Sequence, residues 1–152
     1  MKNAYDSTDD TLEHKQHVRM FLHRYIGELI DRQIHHDDSK LEEPEKSTYD
    51  EFTPKLREST YGSDEYKQFL IDMGPALQHH YEHNSHHPEH YPNGINGMSL
   101  LDLLEMLADW KAAGMRHADG NIQQSLEINR RRFTMSDQLF EIFQNTIREL
   151  GW

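Results

Sequence analysis

Between Val18 and Ile30, the residues Val18, Phe21, Leu22, Tyr25, Ile26, Leu29 and Ile30 fall at i, i+3, i+4, i+7, i+8, i+11 and i+12. This spacing lays one apolar stripe along a helix, and it rules out the strict alternation of a half-buried strand. Helical spacing returns in later segments, and no stretch shows a strand pattern, an internal repeat or a domain linker. The expected fold class is therefore all-α, a single compact helical domain of about five to seven helices. At 152 residues the chain fits one unit on the soft prior of ~100 to 200 residues per domain. Residues 1–10, with Asp6, Asp9 and Asp10, read as a disordered N-terminus, and residues 11–152 as the domain.

The pattern predicts a long first helix capped by Thr11. His14, Val18, Tyr25, Leu29 and His36 share its buried stripe, and His17 lies nearer the edge. Residues 41–63 carry Pro44, Pro54 and Gly62 among many charges, so a loop-rich connection or lid is expected, with one short helix around Tyr49 to Glu58. A second helix should start near Ser63-Asp64, break at Gly74-Pro75 and resume to about His87, where Pro88 stops it. Met73, Leu77, His80, Asn84 and His87 then lie on one face. After a Pro, Asn and Gly-rich loop at 91–97, a helix over Met98 to Ala113 puts Leu100, Leu101, Leu104, Leu107 and Ala108 toward the core. Asp102, Glu105 and Asp109 form an adjoining acidic stripe. Helices over Asn121 to Arg132 and Ser136 to Leu150 complete the chain.

A net charge of −11 with pI near 5.5 argues against duplex nucleic acid as a partner, because phosphate binding needs clustered Lys and Arg. A small phosphorylated ligand stays compatible, since a bound cation supplies charge that a whole-chain count misses. No apolar run approaches the ~18 to 20 residues that span a bilayer. The acidic start lacks the basic and then apolar pattern of a secretory signal, so no membrane partner and a cytoplasmic location are expected. With no cysteine, disulfide or thiol redox chemistry is not expected.

Six of the twelve histidines lie between residues 79 and 90, and another opens the run His36-Asp37-Asp38-Ser39-Lys40. Imidazole and carboxylate are the ligands that first-row divalent ions accept where no thiolate is offered. Helices that point such groups inward are how bundle proteins build metal sites. By contrast, His23, His35, His83, His90 and His117 read as surface residues.

This combination of residues resembles the HD phosphohydrolase superfamily, whose pattern is a His, then His-Asp, further His residues and a distant Asp. His36-Asp37-Asp38-Ser39-Lys40 is similar to the HDxGK of its HD-GYP branch, with Ser39 in place of Gly. His86-His87-Pro88-Glu89 followed by Asn93-Gly94 looks like a shortened form of HHExxDGxGYP, without its Asp-Gly and its terminal Gly-Tyr-Pro. From Thr11 to near Leu150 the chain looks closer still to a small family of phage and bacterial proteins of unassigned function. That likeness runs through HDxSK, Tyr61 to Lys67, His79 to His90 and Glu105 to Trp110.

The resemblance implies an HD-like helical domain with a binuclear centre. His14, His36, Asp37 and Asp109 would hold one ion, and His80, His86 and His87 a second, with Asp37 bridging and His17 the alternative to His14. The ions would be one or two divalent transition metals (Fe, Mn, Ni, Co or Zn) or Mg. Glu105, one turn before Asp109, would orient a ligand imidazole. Lys40 would stabilise charge developing on a phosphoryl group. Substrate contacts would come from Lys55, Tyr61, Tyr66 and Lys67 and, on the later helices, Arg116, Asn129 and Arg132.

The function implied is metal-dependent hydrolysis of a nucleotide or related small phosphoester in the cytoplasm, or the host cytoplasm if the chain is phage-encoded. One rival is a degenerate HD fold that keeps a structural metal and binds a nucleotide or host protein. Another is a metal-dependent oxygenase.

Overall fold

A computed structural model describes residues 5–60, 62–116 and 120–152. Among them the secondary structure is entirely helical, with six α-helices and no strand. The chain divides into two units, residues 1–35 and 36–152. The single domain expected over 11–152 spans both.

The first unit contains one helix, α1 (Thr8–His35). It starts three residues before the expected cap, because Asp6 Oδ1 accepts both the Thr8 backbone N–H, at 3.0 Å, and the Thr8 hydroxyl, at 2.6 Å. This satisfies a donor at the helix start, and Asp9 and Asp10 in the first turn suit the positive end of the helix dipole. Thr11 is therefore inside the helix. Of the stretch expected to be disordered, residues 8–10 are helical, and residues 1–4 lie outside the described residues. No residue of α1 is buried.

The second unit holds α2 (Lys46–Glu58), α3 (Asp64–His83), α4 (Leu100–Gly114), α5 (Ile122–Arg132) and α6 (Asp137–Glu149). Short 3-10 turns occupy Asp38–Leu41, Pro88–His90 and Gly94–Gly97. α2 begins earlier than expected and keeps Pro54 inside it. It packs on α3. Ser63 caps α3 by accepting the Tyr66 N–H at 3.1 Å. Gly74 adopts φ 36°, ψ −111° just before Pro75, which bends the helix where the sequence implied a break. α3 ends at His83, four residues short of the expected stop, because Asn84 leaves helical geometry at φ −124°, ψ 102°.

Apolar packing is concentrated where α4, α5 and α6 meet. Ile95, Met106, Leu107, Ile122, Leu126, Met135, Phe140, Phe143 and Ile147 are buried there. The expected face of α4 needs a correction. Leu100 is 68% exposed and Ala108 is exposed, whereas Asp102, Met106 and Leu107 are buried. The reason is polar: Asp102 closes a capping box with Ser99 and accepts from Ser85 Oγ and Tyr91 Oη, each at 2.8 Å. These bonds turn the acidic edge of the helix inward. The loop that supplies Tyr91 needs glycine at 97, where a Cβ would run into Asn93 Oδ1 and Tyr91 Cβ.

Candidate metal centre

The run from His36 to Lys40 is a tight turn. Asp37 takes a left-handed backbone (φ 61°, ψ 16°), and the Lys40 N–H donates to the Asp37 carbonyl at 2.9 Å. Asp tolerates this region better than most residues, and a non-glycine residue held there commonly marks a functional position. The turn folds Lys40 back so that Nζ donates to Asp37 Oδ2 at 2.6 Å. The ammonium also lies 5.0 Å from the centre of the Tyr49 ring. Ser39 Oγ accepts from Asn84 Nδ2 at 2.8 Å and lies 3.3 Å from His80 Nδ1, tying the turn to the end of α3.

The Oδ1 atom of Asp37 faces α3 and the loop after it. His80 Nε2 lies 3.4 Å away and His86 Nε2 3.5 Å away. His80 Nε2 and His87 Nε2 are 2.9 Å apart. Ligands about 2.0 to 2.2 Å from one ion and about 90 to 110° apart stand about 3.0 to 3.5 Å from each other, so these spacings match the edges of a coordination shell. Asp37 Oδ1 and His86 Nε2 are buried with no hydrogen-bond partner. Buried polar atoms are nearly always paired, so an orphaned acceptor beside an orphaned imidazole nitrogen fits a cation between them.

The other nitrogen of His80 and of His86 faces a carboxylate. His80 Nδ1 lies 2.9 Å from Oε2 of the fully buried Glu45, whose Oε1 is 2.7 Å from His79 Nδ1. Glu105 Oε1 serves two rings, His36 Nδ1 at 2.9 Å and His86 Nδ1 at 3.2 Å. A carboxylate at Nδ1 favours the proton there and leaves the Nε2 lone pair free, the usual support for a metal-ligating histidine. Glu105 therefore stands where it could orient a metal-ligating imidazole.

His36 Nε2 lies 3.5 Å from Asp37 Oδ2 and 3.8 Å from Asp109 Oδ1. Three groups among the described residues could thus hold a metal ion: Asp37, His80, His86 and His87; His36, Asp37 and Asp109; and His36, His86 and Glu105. The last is joined through Nδ1 atoms that Glu105 already holds, so the first two are the ligand sets that Asp37 can link.

Electrostatics divide the imidazoles. Burial pushes His80 down to about 4, with Lys40 adding to the effect. Burial and the nearby His86 and His80 push His87 down to about 3, so both rings are neutral and able to coordinate. Contacts with Asp109 and Glu105 push His36 up to about 10. Burial works against charging His86, yet Asp37 and Glu105 raise it overall. Burial also opposes ionisation of Asp37, but His86 and Lys40 outweigh it and hold the carboxyl well below the usual range. Asp109 is lowered too, its hydrogen bond to His36 overcoming burial. Ionised carboxylates thus draw protons onto nearby imidazoles.

The structure therefore brings together His36, Asp37, Lys40, His80, His86, His87 and Asp109. His14 and His17 lie on α1 in the first unit, and the three groups do not draw on them. Of the expected substrate contacts, Lys55 pairs with Glu51 and sits over Phe52, and Lys67 pairs with Asp64, each on its own helix. Tyr66 is half-buried in the first turn of α3, and Arg116 is exposed just beyond α4. Arg132 pairs with Glu89 at 2.6 Å. Asn129 is 1% exposed, within the buried side of α5. Tyr61, and His117 among the expected surface histidines, lie outside the described residues.

Glu45 was not anticipated. It follows Glu42-Glu43-Pro44, where nothing local separates a buried acid from solvated ones. The sequence pattern places Asp102 in an acidic stripe, although the Ser99-x-x-Asp102 spacing carries a capping-box signal.

A family model matches residues 3–149, that of a family of unknown function, DUF5662. The chain belongs to this family. No curated protein and no solved structure matches it.

Proposed function

We propose that the chain is a metal-dependent phosphohydrolase that acts on a nucleotide or a related small phosphoester, as the HD-type resemblance of His36-Asp37 and the later histidines implies. The observation that carries this reading is Asp37. From a strained turn it offers Oδ1 to His80 and His86 and Oδ2 to His36 and Lys40. A single carboxylate shared by two ligand sets is an arrangement that suits a binuclear site. Two divalent ions about 3.5 to 4 Å apart stabilise the attacking and leaving oxygens of an in-line displacement and lower the pKa of bound water toward ~7.

In this reading His80, His86 and His87 with Asp37 hold one ion, and His36, Asp37 and Asp109 the other. Neutral His80 and His87 bind without first losing a proton, and Glu45 and Glu105 keep the rings aimed. Lys40 supplies a positive charge beside the phosphoryl group, and its 28% exposed side chain leaves the ammonium able to reach a ligand at the mouth of the site. The donor set of imidazole and carboxylate without thiolate suits Mn, Fe, Co, Ni or Zn.

The test is elemental analysis of protein purified without added metal, beside Asp37→Ala and the turn-preserving Asp37→Asn, followed by a phosphatase screen over nucleotides. About two ions per chain, lost in both variants together with hydrolysis, is the expected result. Absence of stoichiometric metal from the wild-type protein, with any phosphatase activity unchanged in Asp37→Ala, would falsify the proposal. Stripping the metal separates the enzyme from a binding module: a catalytic centre mainly loses turnover, whereas a structural ion lowers the melting temperature sharply.

A further inference from the structure

The two faces of Asp37 are not equivalent. Oδ1 has no hydrogen-bond partner and looks toward His80 and His86, which form a metal-capable group with Asp37 and His87. Oδ2 already carries a cation, the Lys40 ammonium at 2.6 Å, and its metal-capable set contains only His36 and Asp109 besides Asp37 itself. The side chains also differ in burial: His80 and His86 are 1% and 2% exposed, against 29% for His36 and 25% for Asp109. A fixed ammonium on the shared carboxylate repels a second positive charge drawn to the same oxygen.

We propose that Lys40 is a built-in occupant of the second metal position, so that the centre loads in two unequal steps and the second ion enters only as Lys40 leaves Asp37 Oδ2. The proposal rests on the binuclear reading above and deepens it. The first ion enters the Asp37, His80, His86 and His87 set, where an orphaned oxygen and an orphaned nitrogen wait for a cation. The second displaces the lysine from the carboxylate. The ammonium, which lies over the Tyr49 ring before its release, is then free to meet an anionic phosphoryl group. Loading of the second ion and arming of Lys40 are one event, which makes the fully loaded centre the form competent to bind phosphate.

The experiment is calorimetric titration of metal-depleted full-length protein with Mn2+, comparing wild type, Lys40→Met and Lys40→Arg. Methionine keeps much of the unbranched stem and removes the charge, while arginine keeps the charge. Wild type should show one tight and one weaker step. In Lys40→Met the second step should tighten about ten-fold or more relative to the first, and Lys40→Arg should stay near wild type. Two equal steps in wild type, an equal tightening of both steps in Lys40→Met, or a second step that is unchanged or weakened would each overturn the proposal while leaving the metal centre standing. Absence of Mn2+ binding to wild type, repeated with Zn2+, would remove the metal reading itself. Circular dichroism of each variant, matched to wild type, shows that the helices are intact.

Discussion

The second unit contains two interiors of equal depth and opposite character. In the apolar interior between α4, α5 and α6, Leu126 is 0% and Ile147 1% exposed. In the polar interior beside the turn after His36, Glu45 is 0%, His80 1% and His86 2% exposed. Burial alone stabilises the first, at about 25 cal/mol per Å² of apolar surface removed from water. Burial alone penalises the second, whose groups must each find a partner or a counter-charge. Asp37, Glu45, Glu105 and Asp109 bring four carboxylates to the imidazoles, and Lys40 pairs with one of them. The polar interior is thus left with atoms and charge that a cation completes. Of the helices that bring side chains to it, α4 is also packed into the apolar interior, through Met106 and Leu107.

α4 is where the two interiors meet. Met106 and Leu107 enter the apolar cluster, while Asp102, Glu105 and Asp109 serve the polar one at successive turns. Asp102 clasps the segment of Ser85 and Tyr91, Glu105 meets His36 and His86, and Asp109 stands in a group that could hold a metal ion.

Breaking the polar interior at its centre should have the largest effect. Asp37→Asn should abolish stoichiometric metal binding while the far-ultraviolet circular dichroism stays helical. Full metal content in this variant would show that the two ligand sets do not depend on their shared carboxylate.

Breaking the apolar interior comes next. Leu126→Ala should cost about 2 to 5 kcal/mol of stability in urea unfolding, the usual range for a buried leucine, and the folded fraction should keep wild-type metal content. Loss of metal from folded Leu126→Ala protein would mean that the two interiors cannot be separated.

Glu105→Gln sharpens the comparison by leaving every ligand in place and weakening their support. Metal affinity should fall about 10- to 100-fold, the range for such outer partners of a ligating histidine. The thermal stability of metal-depleted protein should change far less than in Leu126→Ala. A variant with unaltered affinity would remove the orienting role of Glu105.

The smallest effect is the pH dependence of the metal-depleted protein. His36 is raised to about 10, so its contribution is full below its ordinary value near 6.5 and is lost as pH rises toward 10. His80 and His87 are lowered to about 4 and 3, so their contributions are full above 6.5 and are lost as pH falls toward those values. Melting temperature should therefore peak near pH 6 to 7 and decline on both sides. Bound metal should flatten the alkaline limb, because an ion replaces the proton at His36. A curve rising steadily from pH 6.5 to 10 without metal would contradict the environment assigned to His36.

The helical class, the break at Gly74-Pro75, the helix starts near Ser63 and Ser136 and the metal-capable residue types at His36, Asp37, His80, His86, His87 and Asp109 were all legible in the chain. Periodicity, turn chemistry and metal preference act over a few residues, so a sequence carries them on its face. Tertiary structure decided the rest. It rolled α4 so that Asp102 rather than Leu100 points inward, because hydrogen bonds from Ser85 and Tyr91 outweigh the exposure of one leucine. It chose Glu45 out of an acidic run to meet His79 and His80 more than thirty residues away, and it buried Asn129 on the inner side of α5. It also assigned Oδ1 of Asp37 to the histidines and Oδ2 to Lys40 and His36, a distinction set by the direction of one strained turn relative to α3. Residue types name the possible ligands, but which lone pair faces which partner is a property of three-dimensional packing, because desolvation and hydrogen bonding act on atoms that the fold alone brings within reach.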